Sequence, residues 1–120
     1  AEEFLNTNYN NFNFFLCTST PQKEIQKILS KKNIYHFFKK IYGSPINKVE
    51  QINNIVKDFK IDKKKSIFIG DSINDYQSAK SCDIKFILMA NDSNKAFLKL
   101  YKGKFISNFF EFQKLIEKND

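Results

Sequence analysis

Five times along the chain a short apolar run ends in a polar turn and gives way to a helical pattern, and any fold must satisfy that alternation. The runs are Phe14–Cys17, Lys40–Gly43, Ile67–Gly70, Ile84–Met89 and Lys104–Ile106. Each is too short for a typical helix, and most are rich in Ile and Phe, so each reads as a buried strand. The segments between them carry apolar residues at helical spacing: Ile25, Ile28 and Leu29, then Val49, Ile52, Ile55, Val56 and Phe59, and finally Phe109, Phe112, Leu115 and Ile116. Tyr76–Ser81 and the weaker Asn94–Leu100 complete the series. Strands alternating with helices through short links predict a parallel sheet with helices on both faces, a three-layer, Rossmann-like α/β architecture. The second helix is expected to start with Thr20 as N-cap and Pro21 at its first position. The fourth is expected to end at Asp83 in the left-handed conformation, and the last to be capped by Asn108.

Three of the polar turns carry residues suited to phosphate chemistry. In the stretch Gly70-Asp71-Ser72-Ile73-Asn74-Asp75, Asp71 falls at the carboxyl end of a strand, where open α/β sheets place their ligands. Asp75, four residues on, reaches the same point from the first helical turn. Two carboxylates there suit Mg²⁺, which is commonly held by one or two carboxylates plus waters and substrate phosphate. The other reading is that both are helix-start residues favoured by capping and by the macrodipole. Thr18 and Ser19 lie between a strand and a helix N-terminus, where hydroxyls and backbone N–H groups form an anion site or simply cap the helix. Lys48 opens the third helix, where its charge opposes the macrodipole; a residue that breaks a local rule in this way is a candidate for function.

Composition narrows the classes of partner. The hydrophobic content of 42%, with 14 Phe among 120 residues, argues for a packed core and one domain or part of one. A net charge of +7 points towards polyanions, but all 20 basic residues are Lys, and nucleic-acid readers lean on Arg. The abundance of Lys, Asn, Ile, Phe and Tyr follows A/T-rich codons, so no nucleic-acid partner is expected. No membrane partner is expected either, since there is no long apolar segment and the last helix carries Glu111 and Glu117 opposite a narrow apolar stripe. Cys17 and Cys82 are far apart and lack metal-ligand spacing, which with the absence of a signal-peptide pattern makes a reduced cytoplasmic protein the expectation. His36, the single histidine, stands among aromatics and is assigned no role. Oligomeric state is not legible.

Ala1-Glu2-Glu3-Phe4-Leu5 reads as the last turns of a helix already under way, and Asn6–Asn13 as a loop. Residues 1–13 are thus taken as a helix tail plus linker, and 1–120 as one partial core domain. A targeting segment ahead of Ala1 stays open.

In order and spacing the three turns resemble the motifs of the haloacid-dehalogenase-like hydrolase superfamily over residues 14 to 110. Phe14-Phe15-Leu16-Cys17-Thr18-Ser19-Thr20-Pro21 resembles its second motif, a strand ending in Ser or Thr. Gly43-Ser44-Pro45 followed by Lys48 resembles the third, and Gly70–Asp75 with the helix to Asp83 resembles the fourth. The turns lean towards the phosphoglycolate phosphatase-like branch. The resemblance implies that Thr18, with Ser19 beside it, hydrogen-bonds the transferring phosphoryl group of a small phosphomonoester. It implies that Lys48 neutralises phosphate and nucleophile, and that Asp71 and Asp75 hold Mg²⁺, Asp71 more directly. The superfamily's first motif, a strand followed by Asp-x-Asp that supplies the nucleophile of an aspartyl-phosphate intermediate, has no counterpart, because no Asp precedes Asp58. The expectation is therefore the C-terminal part of a longer phosphatase, with the first strand and the cap absent and the piece alone inactive. The alternative is a catalytically inactive phosphate- or nucleotide-binding module.

Overall fold

Every apolar run becomes a strand and every helical period a helix, in the expected order. The computed structural model describes residues 2–118, the side chain of Lys118 excepted; Ala1, at the head of the expected helix tail, lies outside the described residues. The chain divides into two units, Ala1–Phe59 and Lys60–Asp120. Both are α/β, and all strand pairing in each is parallel.

The first unit runs α1 (Glu2–Asn8), β1 (Phe14–Pro21), α2 (Gln22–Lys31), β2 (Phe38–Ser44) and α3 (Lys48–Asp58). The helix at the start continues past the expected loop boundary at Asn6. Phe4 and Leu5 are buried, and the side chain of Asn8, 3% exposed, donates to the Phe4 carbonyl instead of breaking the turn. Pairing of β1 with β2 aligns Leu16 with Ile41 and Cys17 with Tyr42. Ile25 and Leu29 of α2 pack on Ile41, with Leu16, Ile34 and Phe38 around them, so two of the three apolar positions read from the sequence are covered, while Ile28 is 38% exposed.

One boundary is corrected. Thr20 is not the cap of α2 and Pro21 is not its first residue: β1 continues to Pro21, which pairs with Ser44, and α2 begins at Gln22 with no side-chain cap. The physical reason is Gln22. Its Nε2 donates to the Ile41 carbonyl at 2.9 Å and its Oε1 accepts from the Gly43 amide at 2.6 Å, holding this stretch against β2. Gly43 has no room for a side chain there, since a Cβ would sit 2.6 Å from the Thr20 carbonyl oxygen.

The second unit runs β3 (Ile67–Gly70), α4 (Ile73–Ser81), β4 (Lys85–Met89), α5 (Lys95–Leu100), β5 (Phe105–Ile106) and α6 (Phe109–Lys118), with strand order β3-β4-β5. Leu88, Ile106 and Ala79 are at most 1% exposed and mark its core. Asp83 ends α4 at φ 57°, and Asn108 accepts from the Glu111 amide at the start of α6, both as expected. Tyr76, Phe86, Phe97 and Tyr101 form an aromatic cluster with ring centroids 5.6–6.2 Å apart.

Candidate functional site

The Gly70–Asp75 turn is built around one carboxylate. Asp75 is 4% exposed, and its Oδ2 accepts from the backbone amides of Asp71 at 3.1 Å and Ser72 at 3.3 Å. Ser72 returns the bond, its Oγ accepting from the Asp75 amide at 3.0 Å, which completes a capping box at the head of α4. Asp75 thus makes the contacts of a helix-start residue. Asp71 is different: its side chain is exposed at the end of β3, while its backbone is tied down on both sides. Its amide goes to Asp75, and its carbonyl accepts from Asn94 Nδ2 at 2.8 Å. The same Asn94 nitrogen also reaches the Met89 carbonyl at 2.8 Å, joining the ends of β3 and β4. The result is a rigid turn that presents one solvent-facing carboxylate. Gly70 serves this turn by absence of bulk rather than by unusual backbone angles, because no glycine has positive φ and a Cβ would lie 2.5 Å from that of Asp75.

Thr18, Ser19 and Lys48 belong to the first unit. Register between β1 and β2 shifts after Cys17, so that the four steps from Cys17 to Pro21 oppose the two from Tyr42 to Ser44. Thr18 and Ser19 sit in this bulge, the kind of irregularity that re-aims side chains at strand ends. Thr18 Oγ1 accepts from the Thr20 amide at 3.1 Å, and Ser19 is exposed. Lys48 is the first residue of α3 and half-buried; Asn47 caps the helix, its Oδ1 accepting from the Glu50 amide at 2.9 Å.

Three side chains that shape these turns were not singled out from the sequence: Gln22, Gln51 and Asn94. Gln51 is fully buried and donates to the carbonyls of Thr18 at 3.0 Å and Ile46 at 2.7 Å. A signal for it existed, since Gln51 interrupts the apolar stripe of α3 beside Ile52 and Ile55. Asn94 carried only the ordinary signature of a helix start.

Among the described residues no group of three or more His, Cys, Asp or Glu gathers as a ready-made metal cage. No described helix is long and apolar enough to cross a membrane. A cavity of about 580 Å³ in the second unit is lined by Tyr76, Phe86, Phe97 and Tyr101, among others, and by none of the candidate residues.

Comparison with known proteins adds a family. The family model described as haloacid dehalogenase-like hydrolase matches residues 1–89. A curated relative, the D-glycero-alpha-D-manno-heptose-1,7-bisphosphate 7-phosphatase of Campylobacter jejuni, is 39% identical over 57 residues, covering 45% of this chain and 33% of the relative. Among solved structures, a haloacid dehalogenase superfamily hydrolase from Ehrlichia chaffeensis superposes with a TM-score of 0.80 at 25% identity, over 97% of this chain and 55% of that one. A predicted phosphoglycolate phosphatase from Haemophilus somnus gives a TM-score of 0.83 at 22% identity, over 95% of this chain and 54% of that one, and shows the shared fold. The chain thus spans a third of the curated relative and just over half of these structures. With a family model matching most of its length, and parallel α/β units ending in the three expected turns, the chain belongs to the haloacid dehalogenase-like hydrolase family.

Proposed function

We propose that this chain serves a Mg²⁺-dependent phosphatase acting on small phosphomonoesters, in the phosphoglycolate phosphatase-like branch of the family. The supporting observation is the Gly70–Asp75 turn, where a solvent-facing Asp71 carboxylate stands on a backbone pinned by Asp75 and Asn94. A preorganised charge of this kind is what phosphoryl transfer requires, because its catalysis is mostly positioning and neutralisation. The donor set fits Mg²⁺, which needs only one or two carboxylates when substrate phosphate and water fill the rest. Asp71 would hold the ion directly, with Asp75 behind it orienting the turn. When bound, the ion would offset charge on the phosphoryl oxygens.

Thr18 and Ser19 are assigned to hydrogen-bonding the phosphoryl group, and Lys48 to neutralising its charge. In the full-length protein transfer would run through an aspartyl-phosphate, whose nucleophile residues 1–57 do not supply, since they contain no Asp. That same observation favours a second reading, a phosphate- or nucleotide-binding module without turnover. The discriminating assay is phosphate release from p-nitrophenyl phosphate, with and without Mg²⁺, by the full-length protein and its Asp71→Asn variant. Mg²⁺-dependent release that falls at least about a hundredfold in the variant supports the phosphatase. Release that ignores both Mg²⁺ and the substitution would sink the assignment of Asp71. Binding of phosphate with no release would favour the second reading.

A further inference from the structure

We propose that Gln51 is a positioning residue, which sets the turn carrying Thr18 against the turn leading into Lys48; the role rests on the phosphatase reading above. Gln51 lies one turn into α3, has 0% of its surface exposed, and sits on the face that Ile52 and Ile55 share. A side-chain amide has two N–H donors, and here both are spent on backbone. One bond reaches the Thr18 carbonyl at 3.0 Å, in the bulge of β1, and the other the Ile46 carbonyl at 2.7 Å, two residues before Lys48. Two loops separated by 28 residues are thereby held by a single nitrogen.

The other half of the amide shows that this is not ordinary core filling. Gln51 Oε1 is buried and has no hydrogen-bond partner. An unpartnered buried acceptor is destabilising, and native structures contain few of them. Met or Leu would fill the same apolar face without that cost. What Gln provides in exchange is the pair of bonds to the two turns. Both turns bear residues assigned to the phosphoryl group, and misplacement by about 1 Å far from the chemistry can lower a rate about a hundredfold.

Gln51→Met keeps the length of the side chain and removes both donors. Gln51→Glu keeps the shape and restores one donor only when the carboxyl is protonated. Burial beside two carbonyls disfavours the charged form, so protonation comes at higher pH than for a free Glu. The measurements, made on the full-length protein, are inorganic phosphate affinity in the presence of Mg²⁺ and hydrolysis of p-nitrophenyl phosphate, each beside an unfolding curve. Gln51→Met relieves the unpartnered Oε1 but strips the Thr18 and Ile46 carbonyls of their bonds, so it is expected to stay folded near the wild-type midpoint, yet to lose about tenfold to a hundredfold in phosphate affinity or kcat/KM. Relative to wild type at the same pH, Gln51→Glu is expected to recover as the pH falls. A folded Gln51→Met within about twofold of wild type, or a Gln51→Glu ratio flat with pH, would overturn the positioning role. If Gln51→Met does not fold, the Gln51→Glu ratio decides by the same two outcomes. Wild-type binding of phosphate without hydrolysis overturns the phosphatase reading and leaves the affinity test of Gln51 intact; no binding at all overturns both.

Discussion

Replacing Gly70 by Ala would place a Cβ 2.5 Å from the Asp75 Cβ, 2.7 Å from its Oδ2 and 2.8 Å from its Cγ. Non-bonded carbons settle at roughly 3.5–4.0 Å, so the Asp75 side chain must move by about 1 Å. Its Oδ2 then leaves the amides of Asp71 and Ser72, whose bonds at 3.1 and 3.3 Å have no slack to follow it. Hydrogen bonds to a charged group contribute about 1.5–3 kcal/mol each. The length of these two and their place in a turn reached by water put them at the low end, about 3 kcal/mol together. Overpacking adds about 1 kcal/mol. Against this, Gly→Ala at a position without positive φ gains about 0.4–1 kcal/mol through the unfolded chain. The net expectation is a loss of about 3 kcal/mol, measured by urea unfolding at 25 °C followed by circular dichroism. In an Asp75→Ala background the obstacle is gone, and Gly70→Ala should be neutral or slightly stabilising. The two substitutions therefore couple by about 3 kcal/mol. Coupling below about 0.5 kcal/mol, the value for independent sites, would refute the claim that Gly70 exists to admit the Asp75 carboxylate.

Three further outcomes follow from other contacts in the two units. Asn47→Ala removes the bond from the Glu50 amide at 2.9 Å and should cost about 1 kcal/mol in the unfolding free energy; no change would mean that the cap is idle. The Cys82 thiol is 3% exposed, and burial raises it above its ordinary value of 9.0, with Lys63 acting weakly in the other direction. It should resist iodoacetamide at pH 8 in the folded protein and react once urea is added, whereas equal rates in both states would contradict its burial. Burial also raises Tyr42 and Tyr101 above 10.0. For all three groups the folded state holds its proton more tightly than the unfolded chain. Their contribution to stability is therefore whole below the unfolded-state values and is lost as the pH climbs through the folded-state ones. An unfolding midpoint that stayed level or rose above about pH 9 would contradict this sign.

The order of elements and the places of the three polar turns were legible in the chain's local pattern. Periodicity is a local property, so Ile25 and Leu29, or Ile52 and Ile55, mark a buried face without knowledge of what covers it. Terminal conformations are local too, which is why Asp83 at φ 57° and the Asn108 cap were legible. The motif order in turn carried the family, since Thr18, Lys48 and the Asp71–Asp75 pair each follow their own strand. Tertiary structure decided which polar side chains are spent on backbone. Gln22 carries β1 on to Pro21, Gln51 ties the Thr18 bulge to Ile46, and Asn94 grips the Asp71 carbonyl. Each reaches a partner 19 to 33 residues away, and no local pattern specifies such a partner. The same holds for the division of labour between Asp71 and Asp75. In sequence they are two equivalent carboxylates; burial turned one inward to cap the helix and left the other facing solvent, because only one of them lies over Gly70, where a missing side chain makes room.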